Sequence, residues 1–199
     1  MQTLNIFPTA VHTDMVYLND DVMEKVKNFE YERMPSNNGC YTTDKKILDS
    51  LPEIKNQIQK IVDFHVHEVL GIVDRQKFVF QGSWINRHRH MDWAQKHDHG
   101  NAVLSGVLFL DVPENSGDFI IHREHTTFAP NNIRFTYKEQ NLYNTFTTQF
   151  KPLKGGVIIF PAWMIHSVTE NKTNKNRYSL AFNLYPRGTF GEGDHILHL

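Results

Sequence analysis

The sequence predicts a mainly β fold with a helical flank on its N-terminal side. After Gly71, short segments rich in β-branched and aromatic residues are bounded by Gly, Pro, Asn or Asp, which is typical of strands joined by turns. Before Gly71, residues 51–70 place apolar side chains at helical spacing. Because many short strands follow one another, we expect a sandwich or a barrel.

The N-terminal third predicts a flank that packs against this sheet. We expect a short strand at residues 4–11 and then a helix that begins after residues 19–21 (NDD), whose polar side chains can cap it. A polar loop at residues 35–39 separates this helix from the one predicted at residues 51–70, which Gly71 can end. Residues 1–71 are therefore interpreted as the flank.

The remaining residues, 72–199, are expected to form the core of the same single domain, 1–199. The predicted strands cover residues 77–86, 102–112, 117–122, 143–149, 156–160 and 177–185. The loop PENSG at residues 113–117 suits a hairpin between two of them. The least regular segment, 124–141, is interpreted as a lid or a substrate loop.

Composition indicates an ordinary globular domain without a charged binding face. Of the 199 residues, 40% are hydrophobic and 22% are charged, and the formal net charge is -1. A broad basic surface for nucleic acid or an anionic membrane is therefore not expected. The single cysteine excludes an internal disulfide and fits a reducing compartment. Since no secretion signal is recognisable, we expect a cytoplasmic protein, with a homodimer as the default assembly.

The motif HDH at residues 97–99 is the first candidate for chemistry. Side chains at i and i+2 of a strand point to one face, so His97 and His99 can converge on one ion while Asp98 points away. Such a pair alone is more typical of a solvated strand face than of a metal site. However, His166 follows an apolar strand, and a jelly-roll barrel would bring it beside the first pair. Three imidazoles with open positions for substrate and dioxygen are typical of non-haem iron.

A candidate anion anchor follows at Arg177. Ser179 lies two residues further along the same predicted strand face, and the guanidinium and hydroxyl groups can together bind a carboxylate. Asn86 can hydrogen-bond a cosubstrate or satisfy buried backbone. His88 and His90 alternate with arginines, and we expect this pair at the rim of the site, contacting an anionic substrate, or else outside the site.

Taken together, these motifs resemble the 2-oxoglutarate and iron(II) dependent oxygenases of bacteria and phages, in the prolyl-hydroxylase-like superfamily. The resemblance rests on residues 82–86 (GSWIN), 97–99 (HDH), 104–107 (LSGV), 153–166 (LKGGVIIFPAWMIH) and 177–183 (RYSLAFN). It implies a double-stranded β-helix core of the jelly-roll, cupin-like type. It also implies iron(II), 2-oxoglutarate, and an oxidation such as hydroxylation that yields succinate and carbon dioxide.

Carried over to this sequence, the resemblance implies that His97 and His166 bind the metal and that Arg177 binds the distal carboxylate of 2-oxoglutarate. Most of the superfamily has a carboxylate at the position of His99, so this chain would give the iron three neutral ligands. Asp98 is the second candidate for that position. The substrate stays open between a small molecule and a peptide or protein side chain, with dioxygen as the second reactant.

Two rival hypotheses remain at this point. A cupin-like three-histidine metal enzyme would not use 2-oxoglutarate, and Arg177 would bind the carboxylate of its substrate directly; His99 favours this alternative. A noncatalytic jelly-roll binding module would keep the histidines as relics or as ligands of structural zinc. Structural zinc usually has four protein ligands, and only three converge here.

Overall fold

The structure is a computed structural model that describes residues 2–34, 38–123 and 135–199. Within these ranges, none of the helices is both long and apolar enough to cross a membrane. The helices are α1 (Asp20–Asn28) and α2 (Pro52–Phe64). The strands are β1 (His12–Met15), β2 (Tyr31–Arg33), β3 (Cys40–Thr42), β4 (Lys77–His88), β5 (Ala94–His97), β6 (Leu104–Asp111), β7 (Phe119–His122), β8 (Thr147–Phe150), β9 (Gly156–Pro161), β10 (His166–Val168), β11 (Arg177–Arg187), β12 (Thr189–Phe190) and β13 (Leu197–His198).

Two antiparallel sheets of the described residues pack face to face. The larger has the order β1-β9-β6-β11-β4-β3-β2, and the smaller has the order β5-β10-β7-β8. Between them, Phe109 of β6 and Phe160 of β9 pack with Phe119 and Ile121 of β7. The strands β12 and β13 form a separate pair near the C-terminus. The predicted fold class, a double-stranded β-helix core with flanking helices, is confirmed.

The larger sheet separates an apolar core from the cavity between the two sheets. Strand β11 shows how: its even-numbered residues 178–184 are buried in the core cluster that also contains residues of α1 and α2. Its odd-numbered residues Arg177, Ser179 and Ala181 line the cavity between the sheets. Because side chains alternate along a strand, one segment contributes both to stability and to the site.

The predicted helix at residues 51–70 is confirmed, with a change of winding near its end. Ile54, Ile58 and Val62 of α2 are buried in the core. From His65 the chain continues as a π-helical turn to Val69, which brings the backbone N–H of Leu70 to the carbonyl of His65 at 3.0 Å. Gly71 then has φ +68°, a conformation that glycine adopts without strain.

Three strands of the flank extend the larger sheet. The expected strand at residues 4–11 is wrong, because the pairing segment is β1, which places His12 opposite Ile159 of β9. At the other edge, β2 pairs with β3, which pairs with β4 and sets Tyr41 opposite Asn86. Pairing with the distant strand β9 thus decides which N-terminal residues form the strand, and the local apolar pattern does not show this pairing.

The predicted strand at residues 143–149 is shorter and later than expected. Strand β8 begins at Thr147, and the residues before it form a turn in which the Asn144 amide donates to the carbonyl of Glu139 at 2.9 Å. The Asn141 carbonyl also accepts from the N–H of Thr145. Asparagine side chains compete in this way with strand pairing. Of the predicted lid, 124–141, residues 124–134 lie outside the described residues.

Gly106 on β6 provides a test of the packing between core and cavity. A Cβ atom there would lie 2.2 Å from Cζ of Phe182 and 2.9 Å from the carbonyl oxygen of Ile158. We expect Gly106→Ala to lower the free energy of unfolding in urea by ~1–3 kcal/mol through overpacking. Gly100→Ala is the matched control, since no atom lies within 4 Å of its added Cβ. Equal stability of the two variants would contradict the packing described here.

Candidate metal and cosubstrate site

The three predicted histidines meet at one end of the smaller sheet. His97 ends β5 and lies opposite His166, the first residue of β10, in an antiparallel ladder. His99 follows β5, and its backbone N–H donates to the carbonyl of Ala162, which fixes it to the turn before β10 at 3.0 Å. One ring nitrogen from each of the three imidazoles lies within 4.8 Å of the other two.

Backbone carbonyls orient two of these rings. Nδ1 of His97 lies 2.7 Å from the carbonyl of Gln95, and Nδ1 of His166 lies 2.9 Å from the carbonyl of Met164. Because a carbonyl oxygen only accepts, each Nδ1 carries the hydrogen and each neutral ring has its lone pair on Nε2. Such outer hydrogen bonds are usual for metal-binding histidines.

The surroundings keep the imidazoles of His99 and His166 neutral. The rings of Phe119 and Phe160 lie 5.4 Å and 4.9 Å from that of His166. Burial, together with the nearby His97, lowers the pKa of His166 to about 3. Burial, again with His97, lowers the pKa of His99 to about 4. A metal ligand must be unprotonated, so these two rings are ready to bind at neutral pH.

The nitrogen positions fit a divalent metal. Nε2 of His99 and Nε2 of His166 are 3.2 Å apart. For metal–nitrogen bonds of about 2.1 Å, two ligands at a right angle are about 3.0 Å apart. Asp98 is exposed and is not in the cluster, whose third member is His99.

Arg177, at the start of β11, is a buried cation held by neutral groups. It is 1% exposed. Its Nη1 donates to the carbonyl of Ser116 at 3.0 Å, and its Nη2 donates to Nδ1 of His88 at 2.8 Å. No ion pair of the described residues includes Arg177. Burial lowers its pKa to about 10, which the charge of Asp118 partly opposes. A buried guanidinium in this setting favours an anionic ligand.

The imidazole cluster and Arg177 line the same cavity of about 410 Å³, a size typical of small-ligand sites. Ser179 and Asn86 also line it, as the sequence predicts, and they lie opposite each other in the ladder between β11 and β4. Oδ1 of Asn86 is buried without a hydrogen-bond partner among the described residues. The walls are mainly apolar and aromatic.

The expectation that His88 lies at the rim of the site or outside it is wrong, because His88 is buried in the wall of the cavity. His90 lies outside the cavity. His88 is 3% exposed, lines the cavity and sits opposite Arg177 in the ladder between β4 and β11. His90 is exposed, with Nδ1 3.2 Å from the carbonyl of Thr173. The signal was present in the sequence, because His88 is two residues after Asn86 and shares its strand face.

Two further parts of the site lie in segments that the sequence did not connect with it. The loop at residues 113–117 supplies the Ser116 carbonyl; the predicted hairpin is wrong, because this loop joins β6 of the larger sheet to β7 of the smaller sheet and the two strands do not pair. Gly117 has φ +98°, and a Cβ atom there would clash with the carbonyl oxygen of Thr169 and lie 3.0 Å from Nη1 of Arg177. From the flank, Tyr41 and Lys45 line the cavity, with the Lys45 ammonium 3.4 Å above the Tyr41 ring centroid. Tyr41 and Lys45 reach the cavity because β3 pairs with β4.

The burial of His88 predicts a loss of stability in acid. Burial, and then the charge of Arg177, lowers the pKa of His88 from 6.5 to about 3. Above pH 6.5 the imidazole is neutral in both the folded and the unfolded chain. As the pH falls below 6.5 only the unfolded chain binds the proton, so the free energy of unfolding decreases by about 1.4 kcal/mol per pH unit for this group.

We therefore expect His88→Asn to make the free energy of unfolding less dependent on pH. Measured by urea unfolding between pH 6 and pH 4, the slope of this free energy against pH should decrease by the amount that corresponds to about one bound proton. His90→Asn is the control, because that imidazole is exposed in the folded chain as well. A slope that His88→Asn leaves unchanged would show that His88 takes up its proton in the folded protein.

Solved structures share this fold at low sequence identity. An oxidoreductase of the 2OG-Fe(II) oxygenase family from Burkholderia pseudomallei is 16% identical, with a TM-score of 0.56 over 87% of this chain and 83% of that one. A prolyl-4-hydroxylase from Pseudomonas putida is 13% identical, with a TM-score of 0.59 over 90% and 94%. HygX from Streptomyces hygroscopicus, with nickel and 2-oxoglutarate bound, is 10% identical, with a TM-score of 0.58 over 88% and 82%.

A search of the curated proteins finds no sequence match. A family model described as "Putative 2OG-Fe(II) oxygenase" matches residues 82–183, which contain the three histidines, His88, Arg177 and Ser179. This match covers about half of the chain and nearly all of the cavity-forming strands. The chain therefore belongs to this family of oxygenases that depend on iron(II) and 2-oxoglutarate.

Proposed function

We propose that His97, His99 and His166 hold the iron(II) and that Arg177 binds the distal carboxylate of 2-oxoglutarate. The observation that supports this proposal is the convergence of three imidazoles and one buried guanidinium on a single cavity. Ser179 would add a hydroxyl to the carboxylate site. The unpartnered Oδ1 of Asn86 lies beside it and would orient a donor of the bound ligands.

When bound, iron(II) with 2-oxoglutarate and dioxygen supplies the oxidising power, and 2-oxoglutarate leaves as succinate and carbon dioxide. The side chains of this protein bind, orient and exclude water. Arg177 would fix one end of the cosubstrate, and the aromatic wall of Phe109, Phe119 and Phe160 would keep bulk water from the reacting centre.

We propose hydroxylation as the reaction, on a small molecule or on a peptide or protein side chain. The structural neighbours include a prolyl-4-hydroxylase and an epimerase, so the shared fold leaves both the reaction and the substrate class open. His99 in place of a carboxylate favoured the cupin-like alternative without 2-oxoglutarate, but membership of the family supports the use of 2-oxoglutarate. Membership of an oxygenase family also argues against the hypothesis of a noncatalytic binding module.

Several expectations about the whole protein stay predictions. We propose that residues 1–199 form one oxygenase domain, with residues 1–71 as the flank and residues 72–199 as the core. The pairing of β1, β2 and β3 with the larger sheet supports a single unit. A homodimer, a cytoplasmic location and the lack of nucleic-acid binding remain expectations from the sequence.

The choice of His99 over Asp98 as metal ligand leads to a direct test. We expect His99→Ala to weaken binding of Mn(II), measured by electron paramagnetic resonance, by about tenfold or more, since one of three protein ligands is lost. Asp98→Ala, the adjacent control, should keep the affinity within about threefold, because the exposed carboxylate acts only through solvent. The reverse order of effects would assign the ligand to Asp98.

The activity itself can be measured before any substrate is known. The iron(II)-reconstituted protein should slowly convert 2-oxoglutarate to succinate without a substrate, and His166→Ala should abolish this turnover by removing a metal ligand. Arg177→Met should raise the KM for 2-oxoglutarate by about 30-fold or more, since an unpaired carboxylate would be left in an apolar site. Wild-type protein that binds iron but forms no succinate at any concentration of 2-oxoglutarate would overturn the proposal.

A further inference from the structure

Arg177 is useful as an anchor only if its guanidinium keeps one orientation. The side chain has five N–H donors on a flexible stem. Two are engaged, one by the carbonyl of Ser116 and one by Nδ1 of His88, on different terminal nitrogens. The Nε donor is buried without a partner among the described residues. The two bonds therefore fix the plane of the group and leave the other donors for a ligand.

The chemical nature of the partners matters as much as their position. A carboxylate at the place of His88 would neutralise Arg177 and compete with the incoming dicarboxylate. An imidazole that accepts at Nδ1 is neutral, with its hydrogen on Nε2, so it orients the cation without cancelling its charge. Because the Ser116 carbonyl is neutral as well, neither hydrogen-bond partner of Arg177 cancels its positive charge.

His88 is itself held on two sides. The Asn171 amide, which is fully buried, donates to the carbonyl of His88 at 3.0 Å. On the other side lies Gly39, where a Cβ atom would come within 3.0 Å of Cδ2 and 3.2 Å of Nε2 of the His88 ring. The ring is thus confined between Gly39 and Arg177, and a larger residue at position 39 would press it toward the guanidinium.

We propose that His88 is a positioning residue that holds Arg177 for the distal carboxylate of 2-oxoglutarate, with Gly39 providing the space that its ring needs. The inference rests on the proposed function, in which Arg177 binds that carboxylate. It assigns to His88 a role in selecting 2-oxo acids that carry a second carboxylate over those that do not.

The test is calorimetric binding of 2-oxoglutarate and of 2-oxobutyrate to the Mn(II)-loaded protein without oxygen. 2-Oxobutyrate has the metal-binding end but lacks the distal carboxylate. His88→Leu should weaken binding of 2-oxoglutarate about tenfold or more and leave 2-oxobutyrate within about twofold, because only the former uses Arg177. His88→Asn should stay within about threefold for both, since its Oδ1 can accept where Nδ1 does.

Two further variants separate positioning from folding. His90→Leu, in the exposed member of the pair, should bind both acids as the wild type does. Gly39→Ala keeps His88 but crowds its ring, and it should weaken 2-oxoglutarate selectively, which keeps the proposal testable if His88→Leu does not fold.

The possible outcomes are distinct. Unchanged selectivity in both His88→Leu and Gly39→Ala would overturn the role of His88, as would equal losses for the two acids or an Asn variant as weak as the Leu variant. Wild-type protein that binds Mn(II) and shows no preference for 2-oxoglutarate over 2-oxobutyrate would overturn the proposed function itself. The selective loss described above would establish the positioning role.

Discussion

The site is organised around the burial of one positive charge. Arg177 is almost completely removed from solvent and has neutral partners, so the folded chain carries an electrostatic cost that an anionic ligand would relieve. The neutral partners of Arg177 come from separate elements: the loop at residues 113–117 presents the carbonyl of Ser116, and β4 presents the imidazole of His88. In the same loop Gly117 has φ +98°, and a Cβ atom there would meet the carbonyl oxygen of Thr169 as well as Nη1 of Arg177.

The alternation of side chains along the strands makes this arrangement possible at modest cost in stability. On β4, Ile85 points into the apolar core, whereas Trp84, Asn86 and His88 point into the cavity. On β9, Val157 and Ile159 pack on the core side and Ile158 and Phe160 on the cavity side. Helix α2 covers the outer face of the larger sheet, so the polar row on the inner face lies on a rigid support.

The sequence contained most of the site but only part of the fold around it. His97 and His99 could be placed on one side of the chain from strand periodicity, which is a local property. Their meeting with His166 and Arg177 was expected from the jelly-roll topology and the family resemblance, because it depends on long-range pairing. The same periodicity places His88 on the strand face of Asn86, but it did not reveal that His88 is buried, which depends on the register that sets it opposite Arg177. The pairing of β1 with β9 is likewise a long-range property, and a local apolar pattern at residues 4–11 could not reveal it.

Charge would link the proposed metal ligands to the proposed anchor. With His99 where most of the superfamily has a carboxylate, the three proposed ligands add no negative charge, so a divalent ion held by them would be one charge more positive than usual. 2-Oxoglutarate is a dianion, and it would bridge this centre and Arg177 within one apolar cavity, where electrostatic interactions are stronger than in water. Protonation of His88 would add a further positive charge at the anchor and remove the acceptor that orients it. The burial that keeps His88 neutral would thus preserve the geometry of Arg177, while a metal ion held without a carboxylate ligand would increase the attraction of the cavity for a dianion.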